Sequence, residues 1–289
     1  ETMVSEYPLY KLEDRPATST MIRYPIAGSK SHHVTVGVHK VSTNQTIYLQ
    51  TSEPKEQYLT NISWSPDEKY VFIAVVNRAQ NHMWLNQYDA ETGVFIKTLF
   101  EETHPKYVEP ENGMIFLKTK PDQFLWFSER DGYDHLYLYD ISGKLIKQVT
   151  KGPWVVTSLV GTGDNDEEVY VMTTAESSIE RHLYCVKMKS SKIERLTQEA
   201  GMHSIKANDE CEFFYDDFSN ANVPRKVQLI DDDGVLLQIL AKPESTLKEY
   251  NLGETTSGVL KATDGTDLYY RIYKPMNFDA TKKYPAIVY

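Results

Sequence analysis

An internal repeat constrains the fold of this chain more than any other feature of its sequence. Each copy alternates apolar and polar residues, passes through a polar turn with Gly or Ser, and alternates again, which is the pattern of a β-hairpin. The four copies lie at residues 82–99, 135–150, 182–197 and 225–240. Equivalent positions at Tyr88, Tyr139, Val186 and Ile230 are separated by 51, 47 and 44 residues. Because propeller blades of four strands repeat about every 40 to 50 residues, this spacing predicts a β-propeller.

A second pair of strands precedes each of these hairpins. Residues 62–76 and 114–128 each contain two apolar stretches separated by a Pro-Asp turn, and residues 157–174 and 203–217 are the matching segments for the later copies. The chain therefore predicts four full blades from about residue 58 to about residue 242. Residues 32–50 read as the outer hairpin of a fifth blade.

The pattern changes near residue 242. Residues 242–253 are rich in helix-forming residues and stop at Gly253, which predicts a short helix. Asp264-Gly265 then predicts a hairpin over 258–275, and the terminal segment "KKYPAIVY" (282–289) reads as a strand buried in a sheet that is covered on both faces. We divide the chain into a partial propeller, 1–250, and the first strands of a second domain, 251–289.

Composition narrows the possible functions. The 34 aromatic residues favour strands, and the net charge of −10 argues against nucleic acid as a partner, because such binding depends on Lys and Arg. No apolar run has the 18 or so residues of a membrane helix. Cys185 and Cys211 lie in no CxxC pattern and are expected to stay unpaired. No His-rich or EF-hand spacing is present, so no metal and no cofactor is expected.

Three segments together resemble one family. They are "NRAQN" (77–81) with "LNQYDAETG" (85–93), "WFSERDGYDHLYLYD" (126–140), and the tail 268–289. The chain resembles the dipeptidyl peptidase IV family of serine exopeptidases (prolyl oligopeptidase type), particularly its bacterial members. The resemblance implies an eight-bladed propeller over an α/β-hydrolase domain, in which "KKYPAIVY" is an early strand. It also implies release of N-terminal dipeptides with Pro or Ala in second place, and a location outside the cytoplasm. Separately, open strand edges and exposed faces on the terminal blades predict a homo-oligomer, namely a dimer.

The resemblance implies that the catalytic residues and the residues that bind the substrate's N-terminus lie in other parts of the protein. No GxSxG motif occurs, and the family's nucleophile, Asp and His are all expected beyond residue 289. The glutamate pair that binds the substrate's free N-terminus is expected upstream of Glu1. We therefore assign no catalytic residue here and expect the given chain to be inactive.

One connecting loop is a candidate for binding. Residues 104–114 join two blades, and loops of this kind often carry binding residues on a rigid scaffold. The family counterpart approaches the substrate, so Tyr107, Glu109 and Asn112 are predicted to line the cavity; an ordinary surface loop is the alternative. Glu101 and Glu102 follow a blade's outermost strand, and we interpret them as charges that protect an edge or face solvent.

Two other functions remain open. One is a non-catalytic propeller that binds proteins, because fold alone does not determine function. The other is an oligopeptidase or acylaminoacyl peptidase of the same superfamily. The hairpin and apolar segment after residue 251 favour an enzyme, because a binding propeller has no need of them.

Overall fold

The computed structural model describes residues 2–289, and these residues contain strands and turns but no helix. Two hairpins come first: β1 (Glu6–Lys11) with β2 (Thr18–Arg23), and β3 (Gly37–Lys40) with β4 (Gln45–Tyr48). A third hairpin, defined below, lies near the end of the chain. The mainly β fold predicted from the sequence is confirmed.

Four antiparallel sheets of four strands each lie between these hairpins, and in each sheet strands consecutive in sequence are neighbours. Sheet I contains β5 (Gln57–Trp64), β6 (Tyr70–Asn77), β7 (His82–Asp89) and β8 (Phe95–Thr103). Sheet II contains β9 (Ile115–Phe116), β10 (Gln123–Ser128), β11 (His135–Asp140) and β12 (Leu145–Gln148). Sheet III contains β13 (Val156–Thr162), β14 (Glu168–Thr173), β15 (His182–Lys187) and β16 (Lys192–Arg195). Sheet IV contains β17 (Met202–Ala207), β18 (Phe213–Ser219), β19 (Lys226–Asp231) and β20 (Leu236–Ala241).

Apolar side chains fill the space between successive sheets. Phe72 of β6 and Trp126 of β10 share one core cluster between Sheets I and II. A second cluster joins Sheets II and III, and a third joins Sheets III and IV. The middle strands are covered on both faces, which explains continuous apolar runs such as "VFIAVV" in β6. Each fully buried large side chain contributes about 1.5–3 kcal/mol, so the contacts between sheets are a main source of stability.

A His–Thr pair closes Sheets II and III in the same way. In Sheet II, Thr150 Oγ1 lies 3.0 Å from His135 Nδ1 and accepts the backbone N–H of Leu136 at 3.0 Å. In Sheet III, Thr197 makes the same two contacts with His182 and with the backbone N–H of Leu183, again at 3.0 Å. These residues begin and end the repeated segments 135–150 and 182–197, so their recurrence reflects strand closure.

Both cysteines are free and buried in the cluster between Sheets III and IV. Burial raises the pKa of Cys185 to about 11 and also raises the pKa of Cys211. Cys211 lies in the turn before β18, at a positive φ of 58°, and not on a strand. The thiols therefore act as small apolar groups in the core.

The hairpin predicted at Asp264-Gly265 is present. It pairs β21 (Thr255–Lys261) with β22 (Asp267–Tyr273), and Gly265 adopts a φ of 87° in its turn. Left-handed backbone of this kind suits Gly, which has no Cβ to clash. The assignment of residues 251–289 to a second domain remains a prediction.

Two predictions near the end of the chain are wrong. The predicted helix at 242–253 is a turn over 246–249, stabilised by the bond from Lys248 N–H to Ser245 O at 3.3 Å. Its side chains are almost all exposed, and without a packed face a short segment does not repay the cost of helix nucleation. The predicted strand at 282–289 is not formed, and Ile287 is 97% exposed. No strand among residues 2–289 pairs with it, and an unpaired strand lacks its ladder hydrogen bonds.

Candidate functional site

A cavity of about 480 Å³ opens between Sheet I and Sheet II. The end of β8 and the loop 104–111 form one wall, and the turn between β10 and β11 forms the other. A smaller space of about 270 Å³ continues toward residues 155–157 of Sheet III and shares four acidic residues with the first: Glu109, Glu111, Glu129 and Asp134. The cleft therefore runs across three consecutive sheets.

Backbone hydrogen bonds fix the first half of the loop. His104 N–H donates to Asn81 O at 3.1 Å, and Val108 N–H donates to Gln80 O at 2.7 Å. His104 Nδ1 in turn lies 3.2 Å and 3.3 Å from the backbone N–H groups of Lys106 and Tyr107. Because Nδ1 accepts these two bonds, the ring N–H is on Nε2. The loop is thus held against the turn 77–81.

A bulge in β5 fixes the second half of the loop. The register between β5 and β6 shifts between Thr60 and Ser63, and Asn61 adopts a positive φ of 55° there. Asn61 Nδ2 donates to the backbone carbonyl of Asn112, and Ser63 Oγ accepts the backbone N–H of Met114 at 2.9 Å. Bulges often redirect side chains next to functional sites. Here the bulge supplies anchors for the loop that forms the cavity wall.

An ion pair between Glu102 and Arg130 spans the gap between the two sheets. The Glu102 side chain is only 13% exposed and accepts bonds from Arg130, from Trp126 Nε1 at 3.1 Å and from Ser128 Oγ at 2.9 Å. Three partners compensate for removing this carboxylate from water. The pair therefore joins β8 to the turn that forms the opposite wall of the cavity.

The cavity carries an excess of negative charge. Glu109, Glu111, Glu129 and Asp134 line it, and none of the four forms an ion pair with another described residue. Burial, followed by repulsion from Glu129, Glu111 and Glu102, raises the pKa of Asp134 to about 7. Asp134 therefore changes charge near neutral pH, unlike an ordinary aspartate.

The cavity is suited to binding rather than to bond cleavage. Its serine, Ser128, donates to Glu102 and accepts from Arg130, so the hydroxyl is already engaged on both sides. A nucleophilic serine needs a general base within hydrogen-bonding distance, and His104, the histidine that lines this cavity, accepts backbone bonds instead. Within residues 2–289, no three His, Cys, Asp or Glu side chains are arranged so that they could hold a metal ion.

The structure brings together two of the three predicted lining residues. Tyr107 and Glu109 both line the cavity. Asn112 does not; it contributes only its backbone carbonyl, to the bond from Asn61. Whether any of the three contacts a substrate stays a prediction.

The interpretation of Glu102 as an edge or solvent-facing charge is wrong. Alternation along β8 directs Glu101 and Glu102 to opposite faces, so Glu101 pairs with His82 at the surface while Glu102 is enclosed. Sequence reasoning also missed Arg130 and Asp134. Both lie in the segment 126–140 that carries the family resemblance, but the surrounding Glu and Asp residues give this segment the appearance of a solvated turn.

Comparisons with known proteins identify the family. The family described as "Dipeptidyl peptidase IV (DPP IV) N-terminal region" matches residues 1–225. A Bacteroides ovatus structure, provisionally described as a dipeptidyl aminopeptidase IV, is 36% identical with a TM-score of 0.89, covering 98% of this chain and 43% of that one. The chain belongs to the dipeptidyl peptidase IV family.

More distant relatives agree with this assignment. The probable dipeptidyl-aminopeptidase B of Podospora anserina is 25% identical over 99% of this chain and 34% of its own length. Dipeptidyl peptidase 8 of Mus musculus is 24% identical over 96% of this chain and 39% of its own length. Porphyromonas gingivalis dipeptidyl peptidase 4 shares the fold with a TM-score of 0.86. The chain thus spans about two fifths or less of the length of these three relatives.

Proposed function

We propose that this chain is the propeller portion of a serine exopeptidase that releases N-terminal X-Pro or X-Ala dipeptides. Its substrates are peptides with a free N-terminus, and the propeller lines and gates the substrate cavity. The catalytic Ser, Asp and His belong to a part of the protein beyond residue 289. In this proposal residues 1–250 are propeller and residues 251–289 begin the α/β-hydrolase domain.

The observation that carries this proposal is the family match over residues 1–225 together with a formed cavity at the predicted loop. Tyr107 and Glu109 line that cavity from a loop that is hydrogen-bonded at both ends. Ligand-binding sites are usually concave and largely preformed, and this cavity has both properties. The same geometry is compatible with an oligopeptidase or with a non-catalytic propeller, so activity must be measured.

The test uses a chromogenic Ala-Pro substrate with the complete protein and with residues 1–289 alone. We expect release of chromophore by the complete protein and background rates from residues 1–289, because the nucleophile and base are absent from the latter. A serine-directed inhibitor should abolish the activity of the complete protein. Inhibitor-sensitive turnover by residues 1–289, or no turnover by the complete protein, would contradict the proposal.

We also propose that the protein is a homodimer that acts outside the cytoplasm. Apolar side chains on the β1–β2 hairpin support an interface, since Leu9 is 54% and Tyr10 is 63% exposed. Light scattering of the complete protein over a concentration series tests the dimer, and fractionation of the source cells tests the location. Among residues 2–289, no helix is long and apolar enough to cross a membrane.

A further inference from the structure

Arg130 is held tightly, yet its hydrogen-bonding capacity is not exhausted. Its Nε donates to Ser128 Oγ at 3.0 Å, one Nη donates to Tyr139 OH, and the other donates to Glu102. A guanidinium has five N–H donors, so two remain, one on each Nη. No acceptor for these two N–H groups lies among residues 2–289.

Aromatic rings fix the guanidinium further. Its central carbon lies 4.3 Å from the centre of the Tyr137 ring and 5.5 Å from that of Tyr139. Both tyrosines are buried in β11, so they form a rigid base. Although burial acts against its charge, the Glu102 carboxylate keeps the pKa of Arg130 above its ordinary value. The side chain has lost its rotamer freedom before any ligand arrives, which lowers the entropic cost of binding.

The guanidinium faces a cavity in which its charge is already neutralised by Glu102. It lines that cavity together with Tyr107 and Glu109. The unpaired carboxylates of the same cleft would repel a ligand carboxylate. A neutral carbonyl oxygen suffers no such repulsion and still accepts the free N–H groups. The surroundings of Arg130 thus favour an uncharged acceptor.

We propose that Arg130 donates its two free N–H groups to a backbone carbonyl of the bound peptide and thereby determines specificity. Peptides with an acidic residue in the segment that occupies the cavity bind less well than their amides. This inference rests on the proposed function, because it takes the cavity to be a peptide site. Ser128, Glu102 and the two tyrosines are positioning residues that hold the guanidinium in place.

The experiment compares Arg130→Met and Arg130→Lys with the wild-type complete protein. Arg195→Met is the matched control, because Arg195 also forms a partly buried ion pair, with Glu176 at 2.9 Å, but does not line the cavity. The probes are two isosteric pairs: Asn-Pro-Ala-Ala and Asp-Pro-Ala-Ala amides, and Ala-Pro-Asn-Ala and Ala-Pro-Asp-Ala amides. Stopped-flow tryptophan fluorescence measures binding before turnover, and steady-state release of dipeptide measures activity. Thermal unfolding shows whether each variant is folded.

We expect Arg130→Met to weaken binding of the Asn peptides by about 10- to 100-fold, the usual effect of losing hydrogen bonds to a charged group. Arg130→Lys should give an intermediate loss, because it keeps the charge but not the planar fork. Arg195→Met should bind like the wild type. In at least one pair, the wild type should bind the Asn peptide several-fold more tightly than the Asp peptide.

Three results would overturn the inference. They are equal affinities of folded Arg130→Met and wild type, the absence of any pair in which the wild type binds the Asn peptide more tightly than the Asp peptide, and no binding of any probe by the wild type. The peptide pairs test the inference on the wild type even if both Arg130 variants unfold. Binding that depends on Arg130 without dipeptide release would contradict the proposed function and leave this inference standing. Dipeptide release that is unchanged by substitution of Arg130 would contradict this inference and leave the proposed function standing.

Discussion

Two polar networks that involve Sheet II differ in whether they recur. The His135–Thr150 pair is reproduced by His182–Thr197 in Sheet III, where the threonine hydroxyl makes the same two contacts at the same 3.0 Å distances. The Glu102–Arg130 network has no counterpart with the same residues in the next sheet, where Glu176 instead accepts from Tyr184 at 2.7 Å and pairs with Arg195. One network repeats with the fold, and the other occurs once, beside the cavity.

This difference separates contacts that the repeated fold requires from contacts that are needed only at one site. Joining the last strand to the preceding one is a task that the four-stranded sheet itself imposes, and the His–Thr contact performs it in Sheets II and III. A contact that occurs only beside a cavity is not explained by that shared task. In a repeat protein, a buried polar group that departs from the repeat is therefore a better indicator of a site than a polar group that follows it.

The largest effect should come from a buried structural network within Sheet IV. Asp216 is fully buried and lies 2.9 Å from His203 Nδ1 and 2.8 Å from Gln228 Nε2. Asp216→Ala leaves both partners buried without an acceptor, and we expect a loss of about 3–5 kcal/mol in the free energy of unfolding. Urea denaturation of the variant and the wild type measures this loss.

The neighbouring residue is the control for this prediction. Asp217 pairs with Arg225 at the surface, so Asp217→Ala should cost less than about 1 kcal/mol. Peptide binding should be unchanged in both variants at temperatures where they are folded. Similar losses for the two substitutions would show that the buried network is not what stabilises Sheet IV.

A smaller loss of stability should appear at both threonines of the His–Thr pairs, and the two losses should be equal. Thr150→Val and Thr197→Val each keep the shape of the side chain and remove a buried hydroxyl that makes two contacts. We expect each to lower the free energy of unfolding by about 1–3 kcal/mol. Because the two geometries are the same, the two losses should agree within about 0.5 kcal/mol.

Thr157→Val serves as the control for the threonine pair. Thr157 is an exposed residue whose hydroxyl makes one long bond, 3.3 Å to Met172 O, so the loss of that hydroxyl should have an effect of less than about 0.5 kcal/mol. Clearly unequal losses at Thr150 and Thr197 would contradict the idea that the repeat imposes a common closing contact. A changed peptide affinity in either variant would contradict the distinction between the two networks.

Local patterns in the sequence predicted most of the fold. The repeat that begins at His135 predicted β11 and β12, and Asp264-Gly265 predicted the β21–β22 hairpin. Both depend on neighbours close in sequence, namely strand alternation and a turn with a left-handed residue. The segment 282–289 has the same apolar character as a strand, but strand formation also requires a partner strand, which a local pattern does not reveal.

The site was less predictable because its contacts connect distant residues. The loop 104–114 was recognisable as a connection between repeats, so Tyr107 and Glu109 could be placed near the cavity. The enclosure of Glu102 depends on Arg130, 28 residues away in another sheet. The position of Asn112 depends on a bulge at Asn61, and the local sequence pattern around residue 61 does not predict that bulge.

The smallest expected effect is a pH-dependent difference in stability caused by Asp134 in the cavity wall. Its sign should be opposite to that of an aspartate in an ordinary exposed turn. The pKa of Asp134 is raised to about 7, chiefly by burial, whereas an unfolded Asp has a pKa of about 3.9. Between these values the folded protein holds a proton that the unfolded chain has released, so this group's contribution to stability falls as pH rises. In the Asp134→Asn variant, the carboxyl group is replaced by an amide that does not ionise. Its unfolding free energy should match the wild type near about pH 4 and exceed it by about 1 kcal/mol at about pH 8, allowing for solvent screening of a partly exposed group.

Asp67 provides a control of opposite sign. Its hydrogen bond from Ser65 in the exposed turn before β6 is the main reason that its pKa is lowered to about 2. The stabilisation from Asp67 is therefore present above about pH 4 and is lost as pH falls through about 2. Asp67→Asn should be less stable than the wild type at neutral pH, and the difference should shrink in acid. If Asp134→Asn instead ran parallel to the wild type across the whole range, the carboxylates of the cavity would not disfavour a further negative charge. The preference of Arg130 for an uncharged carbonyl would then lose its electrostatic basis.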